Sequence, residues 1–223
     1  MLKNIDKCVV IAPHPDDETL GLGGSIARMS SLGIDVSILI VSGHLPPLYD
    51  AQAFEKTVSE AKEAFKILGV DKYEFLKIPA TFLIKEDIST LYKKIASFIN
   101  NSKPDIVFLP FPDRHIDHRI IFDGGVVACR PKENWFPKTV LLYETLSETH
   151  WNVSGVEPSF NPDFFIDISD TINKKVDGLS RYESQIVGNS SRSIDSIRAL
   201  AKFRGSQNGC DYAEAFKLVR MVI

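Results

Sequence analysis

Short apolar runs alternate with amphipathic helical patterns along most of the chain, and this alternation limits the folds that the chain can adopt. The run "KCVVIAP" at residues 7–13 has the length and the β-branched content of a buried strand. The segment at residues 51–70 spaces its apolar residues with the period of an amphipathic helix and carries a glycine near its end. Strands that alternate with helices form parallel sheets covered by helices on both faces. We therefore predict an α/β fold, a Rossmann-like three-layer α/β/α arrangement with a mostly parallel sheet.

The last third of the chain has a less regular pattern. Residues 171–186 predict one helix, and residues 191–205 predict another. The final segment, "YAEAFKLVRMVI" at 212–223, fits either a helix or a strand. The sequence contains no internal repeat, low-complexity tract or linker, and its 223 residues, 44% of them hydrophobic, are enough to bury a core. We expect residues 1–223 to form a single domain.

The net charge limits the kinds of partner that the protein can bind, and the cysteines indicate its compartment. A formal net charge of −3 leaves no excess of basic residues for nucleic acid or for an anionic membrane surface, so we expect neither as a partner. No window approaches the roughly 20 apolar residues of a membrane span, and the N-terminus lacks the apolar core of a signal peptide. Cys8, Cys129 and Cys210 form no C-x-x-C pair, which is typical of reduced cysteines. We expect a cytoplasmic protein that acts on a small molecule, with homo-oligomerisation left open.

The first strand is followed directly by "HPDDE" at residues 14–18, one histidine and three carboxylates. Helix capping by one of these carboxylates is worth about 0.3–1 kcal/mol, but it needs only one of them and has no use for His14. A metal site uses the histidine and the carboxylates together, and both interpretations stay open from this loop alone. The glycines that follow resemble a phosphate loop only weakly, because carboxylates stand where phosphate-binding amides would be needed.

A second loop of the same kind, "HIDH" at residues 115–118, follows the strand-like run that ends at Pro110. Ligands of open parallel sheets bind outside the carboxyl ends of the strands, so this loop and the first one are predicted to meet. Asp117 either caps the following helix or orients a neighbouring imidazole. Two histidines and one carboxylate form an open zinc site with water in the fourth position. Zinc is our first choice, with Fe²⁺ as the alternative.

At these residues the chain resembles the PIG-L or LmbE-like family of zinc-dependent N-deacetylases, which act on N-acetylglucosaminyl compounds and related amino sugars. The resemblance extends beyond the two loops and covers most of the chain in the same order. The segments that carry it are "PHPDDE", "SEAKEAFKILGV", "HIDH", "YESQI" and "RGSQNGCDYAEAF". The resemblance implies a deacetylase that removes the acetyl group from an amino sugar or from a glycoconjugate that contains one.

The resemblance also implies a role for each polar residue of the two loops. His14, Asp17 and His118 match the family's zinc ligands, with one zinc ion per chain. Asp16 matches the general base, and His115 matches the histidine that steadies the oxyanion or protonates the leaving amine. The chemistry of amide hydrolysis agrees, since it needs an activated water, a carboxylate to take a proton and a donor near the oxyanion.

Two departures from the family pattern affect the substrate. Thr57 stands where the family often has an arginine, and the segment "IPATFLIKED" at residues 78–87 lacks the usual Asp-Gly pair. Both departures argue against transferring the substrates of thiol-biosynthesis members to this chain. One alternative function is hydrolysis of another N-acyl or thiol-conjugate amide. Another is a non-catalytic nucleotide- or sugar-binding module, although pure binding has little use for Asp16.

The remaining polar candidates have plainer explanations. We expect Glu18 to cap the first helix and His44 to be a loop residue, although His44 follows the second strand and could line a cleft. Trp151 could stack on a sugar ring or could be an exposed loop aromatic. Arg204 and Tyr212 belong to the C-terminal family signature, which is as easily structural as substrate-binding.

Overall fold

The computed structural model describes residues 5–132, 134–186 and 191–222. In these residues one sheet of seven strands has the order β3-β2-β1-β4-β5-β7-β6. Strands β1 to β5 pair in parallel, and β7 pairs antiparallel with both β5 and β6. The strands are β1 Lys7–Ala12, β2 Asp35–Gly43, β3 Lys72–Pro79, β4 Ile106–Pro110, β5 Thr139–Tyr143, β6 Phe164–Asp167 and β7 Ala213–Met221.

Six α-helices of the described residues cover the two faces of the sheet. They are α1 Asp17–Ser31, α2 Ala53–Leu68, α3 Ile88–Ser102, α4 Ile116–Ala128, α5 Ile172–Leu179 and α6 Ile194–Ser206. One core cluster packs α1, α2, α5 and α6 against the sheet, and a second packs α3 and α4 against the opposite face. The predicted three-layer fold is confirmed. None of these helices has the length and apolar character needed to cross a bilayer.

The strand order places the two polar loops side by side. Strand β1 has β2 on one side and β4 on the other, so the direction of the strand order reverses at β1. Such a reversal opens a crevice at the carboxyl ends of the adjacent strands, where α/β proteins bind ligands. The loop after β1 and the loop after β4 both enter this crevice, as the sequence predicts.

The C-terminal third differs in part from the prediction. Helix α5 ends at Leu179, whereas the sequence pattern predicts a helix through residue 186. The chain leaves the helix there because Tyr182 turns inward and becomes fully buried, which is a tertiary contact that periodicity does not reveal. The ambiguous final segment is a strand, β7, because it fills the place between β5 and β6.

Helix α1 is broken at Leu22, whose backbone has φ −145° and ψ 25°. The carboxylate of Glu214 accepts hydrogen bonds from the N–H groups of Gly24 and Ser25 at 2.9 and 2.7 Å, where the helix resumes. The ammonium of Lys175 lies 2.5 Å from Glu214 and compensates its buried charge. The glutamate of the "YAEAF" segment therefore stabilises the break in α1, which is a structural role.

Candidate metal centre and active-site cleft

All five predicted site residues lie together at the carboxyl edge of the sheet. The loop after β1 and the first turn of α1 supply His14, Asp16 and Asp17, and the start of α4 supplies His115 and His118. One ring nitrogen from each of the three histidines lies within 4.8 Å of the others. The residues that meet here are about a hundred positions apart in the chain, and the parallel pairing of β1 with β4 brings them together.

Asp17 lies between two of the histidines. Its Oδ2 atom is 3.1 Å from Nδ1 of His14 and 3.3 Å from Nε2 of His118. A tetrahedral zinc ion with bonds of about 2.0–2.1 Å has ligand atoms separated by about 3.3 Å. These two distances therefore match the edges of one metal coordination polyhedron. The three histidines form a second set of three candidate ligands, which differs by replacing Asp17 with His115.

In His14 and in His118, a buried carboxylate contacts the ring nitrogen that points away from Asp17. Nε2 of His14 lies 3.0 Å from Oδ2 of Asp117, and Nδ1 of His118 lies 3.0 Å from Oδ2 of Asp113. Carboxylates in this position orient metal-binding histidines and set their tautomers. The opposite nitrogens, Nδ1 of His14 and Nε2 of His118, then face Asp17. Nε2 of His118 is buried and makes no well-aligned hydrogen bond among the described residues, and it lies 3.3 Å from Oδ2 of Asp17. A buried nitrogen of this kind is available to bind a metal ion.

The structure decides between the two interpretations of Asp117. The residue that caps α4 is His115, whose Nδ1 accepts a hydrogen bond of 3.2 Å from the N–H of Asp117. The Asp117 carboxylate itself orients His14. Sequence reasoning did not assign Asp113 a role, although its position five residues before His118 was a usable signal once the strand end was known.

The pKa values of His14, Asp17 and His118 show that the carboxylates of this site favour positively charged partners. Burial alone would lower the pKa of His14, but hydrogen bonds with Asp117 and Asp17 raise it to about 9. Burial opposes the proton on His118 as well, yet the Asp17 charge and the Asp113 hydrogen bond raise its pKa to about 10. Burial would raise the pKa of Asp17, but His118 and His14 hold it well below its usual value. These pKa values favour a second proton on both imidazoles near neutral pH, and a metal ion that binds the same nitrogens would displace those protons.

Asp16 has a strained backbone and a sheltered carboxylate. Its φ of 122° is unusual for a residue with a side chain, and such strain costs about 1–3 kcal/mol. The side chain makes no capping hydrogen bond to α1, although Asp16 is the residue at the N-cap position. Burial raises the pKa of Asp16 to about 8, against the nearby charge of Arg192, whose Nη1 is 3.4 Å from Oδ2. The capping interpretation therefore fails for Asp16.

His115 is a neutral hydrogen-bond donor. Burial, together with the charges of His14 and His118, lowers the pKa of His115 to about 4. Because its Nδ1 accepts the N–H of Asp117, the proton of the neutral ring is on Nε2. His115 lines the cleft, so Nε2–H is the group that it has left to donate to a ligand.

A cleft of about 690 Å³ opens over these residues, and His14, Asp16 and His115 line it. Clefts of this size take ligands larger than an acetyl group alone. Thr57 lies on its wall, but the Thr57 hydroxyl is directed to the backbone of α2, at 3.1 Å from the carbonyl oxygens of residues 53 and 54. His44 also lines the cleft, a position that the sequence alone did not favour, and its ring contacts that of Tyr49 edge-on at 4.5 Å.

Among the candidates of the C-terminal half, Arg204 has a structural role, and Glu144, His150 and Tyr143 lie in the same part of the fold. Arg204 forms two hydrogen bonds, of 2.9 and 2.8 Å, with the buried carboxylate of Glu144. His150 lies 3.1 Å from the same carboxylate. Tyr143 is fully buried and donates a hydrogen bond to the carbonyl oxygen of Ile11 at 3.0 Å. Trp151 is exposed.

The fold and the site together define an α/β protein with a histidine and carboxylate centre, able to hold a metal ion, at the switch point of its sheet. The model of the PIG-L family, described as GlcNAc-PI de-N-acetylase, matches residues 9–129, more than half of the chain. The chain belongs to this family. Membership confirms the family resemblance and the reaction class predicted from the sequence, hydrolytic N-deacetylation.

Individual relatives match over nearly the whole chain. The diacetylchitobiose deacetylase of Thermococcus kodakarensis is 28% identical over 97% of this chain and 84% of its own length. A conserved protein of Thermus thermophilus superposes with a TM-score of 0.76 and 27% identity, over 98% of this chain and 96% of that one.

One structural neighbour carries out a different reaction. The 4-carboxy-2-hydroxymuconate hydratase of Pseudomonas putida superposes with a TM-score of 0.80 and 19% identity, over 98% of both chains. At that identity the likeness establishes the fold alone. The fold is therefore compatible with more than one chemistry, and the reaction is inferred from the residues of the site and from the family.

Proposed function

We propose that this protein removes the N-acetyl group from an amino sugar, or from a small glycoconjugate that contains one, with one divalent metal ion held by His14, Asp17 and His118. The observation that carries the proposal is the placement of Asp17 Oδ2 at 3.1 Å from Nδ1 of His14 and 3.3 Å from Nε2 of His118. The similarity to a diacetylchitobiose deacetylase supports the substrate class.

The donor set fits the proposed ion. Two imidazole nitrogens and one carboxylate oxygen suit zinc, and Fe²⁺ takes the same set, so zinc is the first choice and Fe²⁺ the alternative. We prefer Asp17 to His115 as the third ligand because Asp17 is anionic and its Oδ2 lies between Nδ1 of His14 and Nε2 of His118. When bound, such an ion polarises the acetyl carbonyl and lowers the pKa of a water.

Asp16 is the proposed general base. It lines the cleft, and its Oδ2 has no hydrogen-bond partner within the described residues, so that oxygen is available to take a proton from the attacking water. A pKa of about 8 lies close to the value at which a carboxylate shuttles a proton near neutrality. A divalent ion carries the same charge as the two protons that it displaces from His14 and His118. The electrostatic environment of Asp16 is therefore largely preserved when the ion binds.

His115 is the proposed donor to the carbonyl oxygen as that oxygen becomes negative. Preorganised N–H groups in water-poor sites stabilise such oxyanions. Since a pKa of about 4 leaves no second proton on the ring near neutral pH, His115 is not the source of the proton that the leaving amine needs. We assign that step to Asp16, which returns the proton that it took from the water.

The surroundings of the cleft support an organic substrate with polar groups. Lys56 and Arg192 line the cleft, and the ring of Tyr49 lies at its exposed side. Thr57 gives the cleft no cation where the family often has one. The free cysteines, two of them buried, support a reducing compartment such as the cytoplasm.

An acetate-release assay tests the proposal directly. A panel of N-acetylglucosamine, diacetylchitobiose, a nucleotide-linked N-acetyl sugar and a glycosyl thiol is incubated with protein, with added zinc and with a chelator. We expect acetate from at least one amino sugar, loss of release with the chelator and recovery with zinc. Release from none of the amino sugars, or release that the chelator does not change, would contradict the proposal. Asp16→Asn is the matched inactive control.

A further inference from the structure

The strained backbone conformation of Asp16 must be held by contacts with other residues. A φ of 122° is held only where surrounding contacts determine it, since a relaxed backbone would otherwise be preferred. The side chain of Asp16 does not supply those contacts, because it makes no bond to α1. The Asp16 N–H donates a hydrogen bond of 3.2 Å to Oε2 of Glu18.

Glu18 is fully buried and is held in place by hydroxyl groups. Its Oε1 accepts a hydrogen bond of 2.6 Å from the Thr19 hydroxyl and one of 2.5 Å from the hydroxyl of Tyr182. Glu18 was expected to be a helix cap. It does bind the N–H of Asp16, as a capping glutamate would, but it also joins α1 to Tyr182, which is 164 residues away.

The segment that carries Tyr182 reaches Asp16 by a second route. Ser184 is anchored on α2, where its N–H and hydroxyl donate to Glu60 at 3.0 and 2.5 Å. Gln185 accepts a hydrogen bond of 3.2 Å from Nη1 of Arg192, and the same nitrogen lies 3.4 Å from Oδ2 of Asp16. Residues 182–185 are therefore linked to Asp16 in two ways, through Glu18 to its backbone N–H and through Arg192 to its carboxylate.

We propose that Tyr182 and Glu18 are positioning residues for Asp16: the Tyr182 hydroxyl fixes the Glu18 carboxylate, which holds the Asp16 N–H and so aims the Asp16 carboxylate into the cleft. The inference rests on the proposed function, since it gives Asp16 its role as base. The contact between Tyr182 and Glu18 also accounts for the end of α5 at Leu179, before the "YESQ" segment.

Tyr182→Phe tests the inference, with Tyr143→Phe as the matched control. Each change deletes one buried hydroxyl that donates one hydrogen bond, but only the Tyr182 hydroxyl belongs to the chain of hydrogen bonds that reaches the Asp16 N–H through Glu18. Loss of a residue that orients a side chain of a metal site typically costs about 10–100-fold in activity, and we take the same range for the residues that orient Asp16. We expect kcat to fall by that factor in Tyr182→Phe, with KM and bound zinc unchanged, and to stay close to wild type in Tyr143→Phe. Equal losses in the two variants, or a loss confined to KM or to zinc content, would overturn the inference.

Two further experiments test the inference, and the second of them does not depend on turnover. Glu18→Gln keeps an oxygen acceptor, so we expect it to retain more kcat than Glu18→Ala; equal losses would contradict the proposed contact. Crystal structures of Tyr182→Phe and Tyr143→Phe need no activity at all. We expect the Asp16 side chain to move only in Tyr182→Phe, and an unmoved Asp16 there would refute the inference. A wild-type protein that releases no acetate would refute the proposed function, and these structures would still decide the inference.

Discussion

Metal binding at this site is expected to depend steeply on pH. The dependence extends over the pH range in which His14 and His118 each carry a second ring proton in the metal-free protein. The pKa values of about 9 for His14 and about 10 for His118 place that range below about pH 8. Asp17, whose pKa is well below its usual value, stays ionised throughout and releases no proton.

The size of the effect follows from the number of protons displaced. Two protons released per metal ion raise the apparent association constant about 100-fold for each pH unit. Between pH 6 and pH 8 the change is about 10⁴-fold, or about 5 kcal/mol of binding free energy. A centre that used only one protonated imidazole would give half of that change in free energy.

Competition with a chromophoric chelator at pH 6, 7 and 8 measures the affinity, and calorimetry in buffers of different ionisation enthalpy counts the protons released. His115→Ala is the control, because a histidine that is already neutral contributes no proton and, in our assignment, no ligand. We expect this variant to keep zinc affinity and proton count, whereas Asp17→Ala loses affinity. Release of fewer than two protons would refute the protonation of His14 and His118, which both ligand sets share. Loss of zinc in His115→Ala would refute the choice of Asp17 as the third ligand and favour the set of three histidines.

Three further outcomes are expected. Asp16→Asn keeps its zinc, as measured by metal analysis, and loses about 10²–10⁴-fold in turnover, as removal of a general base does, whereas undiminished turnover would exclude that role. Asp113→Ala weakens zinc binding about 10–100-fold because His118 loses its orienting partner, and the exposed Asp211→Ala gives the baseline; equal affinities would argue against that partnership. The metal-free protein loses thermal stability as pH rises through about 9–10. The reason is that His14 and His118, whose pKa values are raised, stabilise the fold fully only below their unfolded value of about 6.5. We expect no such loss in the zinc-loaded protein. Identical dependence of the melting temperature on pH in the zinc-loaded and the metal-free protein would contradict this prediction.

The centre of the site was predictable because its ligands follow strand ends. "HPDDE" comes directly after β1, and "HIDH" comes soon after β4, so one rule about parallel sheets was enough to bring His14 and His118 together. The alternation of strands and helices likewise predicted the three layers, because each pattern reports burial on its own element.

The supporting residues were not predictable for a different physical reason. The roles of Asp113 and Tyr182 depend on side-chain directions and on packing between distant elements, which leave no periodic trace in the sequence. Glu214 was visible in the "YAEAF" segment, but its role follows from a break in α1 that the pattern of apolar residues conceals. The strained φ of Asp16 is invisible for the same reason, since Asp is common where helices begin.

In the proposed mechanism one metal ion and Asp16 act together in deacetylation, and a zinc titration of chelated protein measures both contributions at once. We predict that acetate release from the best amino-sugar substrate rises with added zinc and saturates at one ion per chain. The Asp16→Asn protein is predicted to bind the same single ion and to release almost no acetate. Wild-type release that is independent of zinc, or full release by Asp16→Asn, would contradict the mechanism.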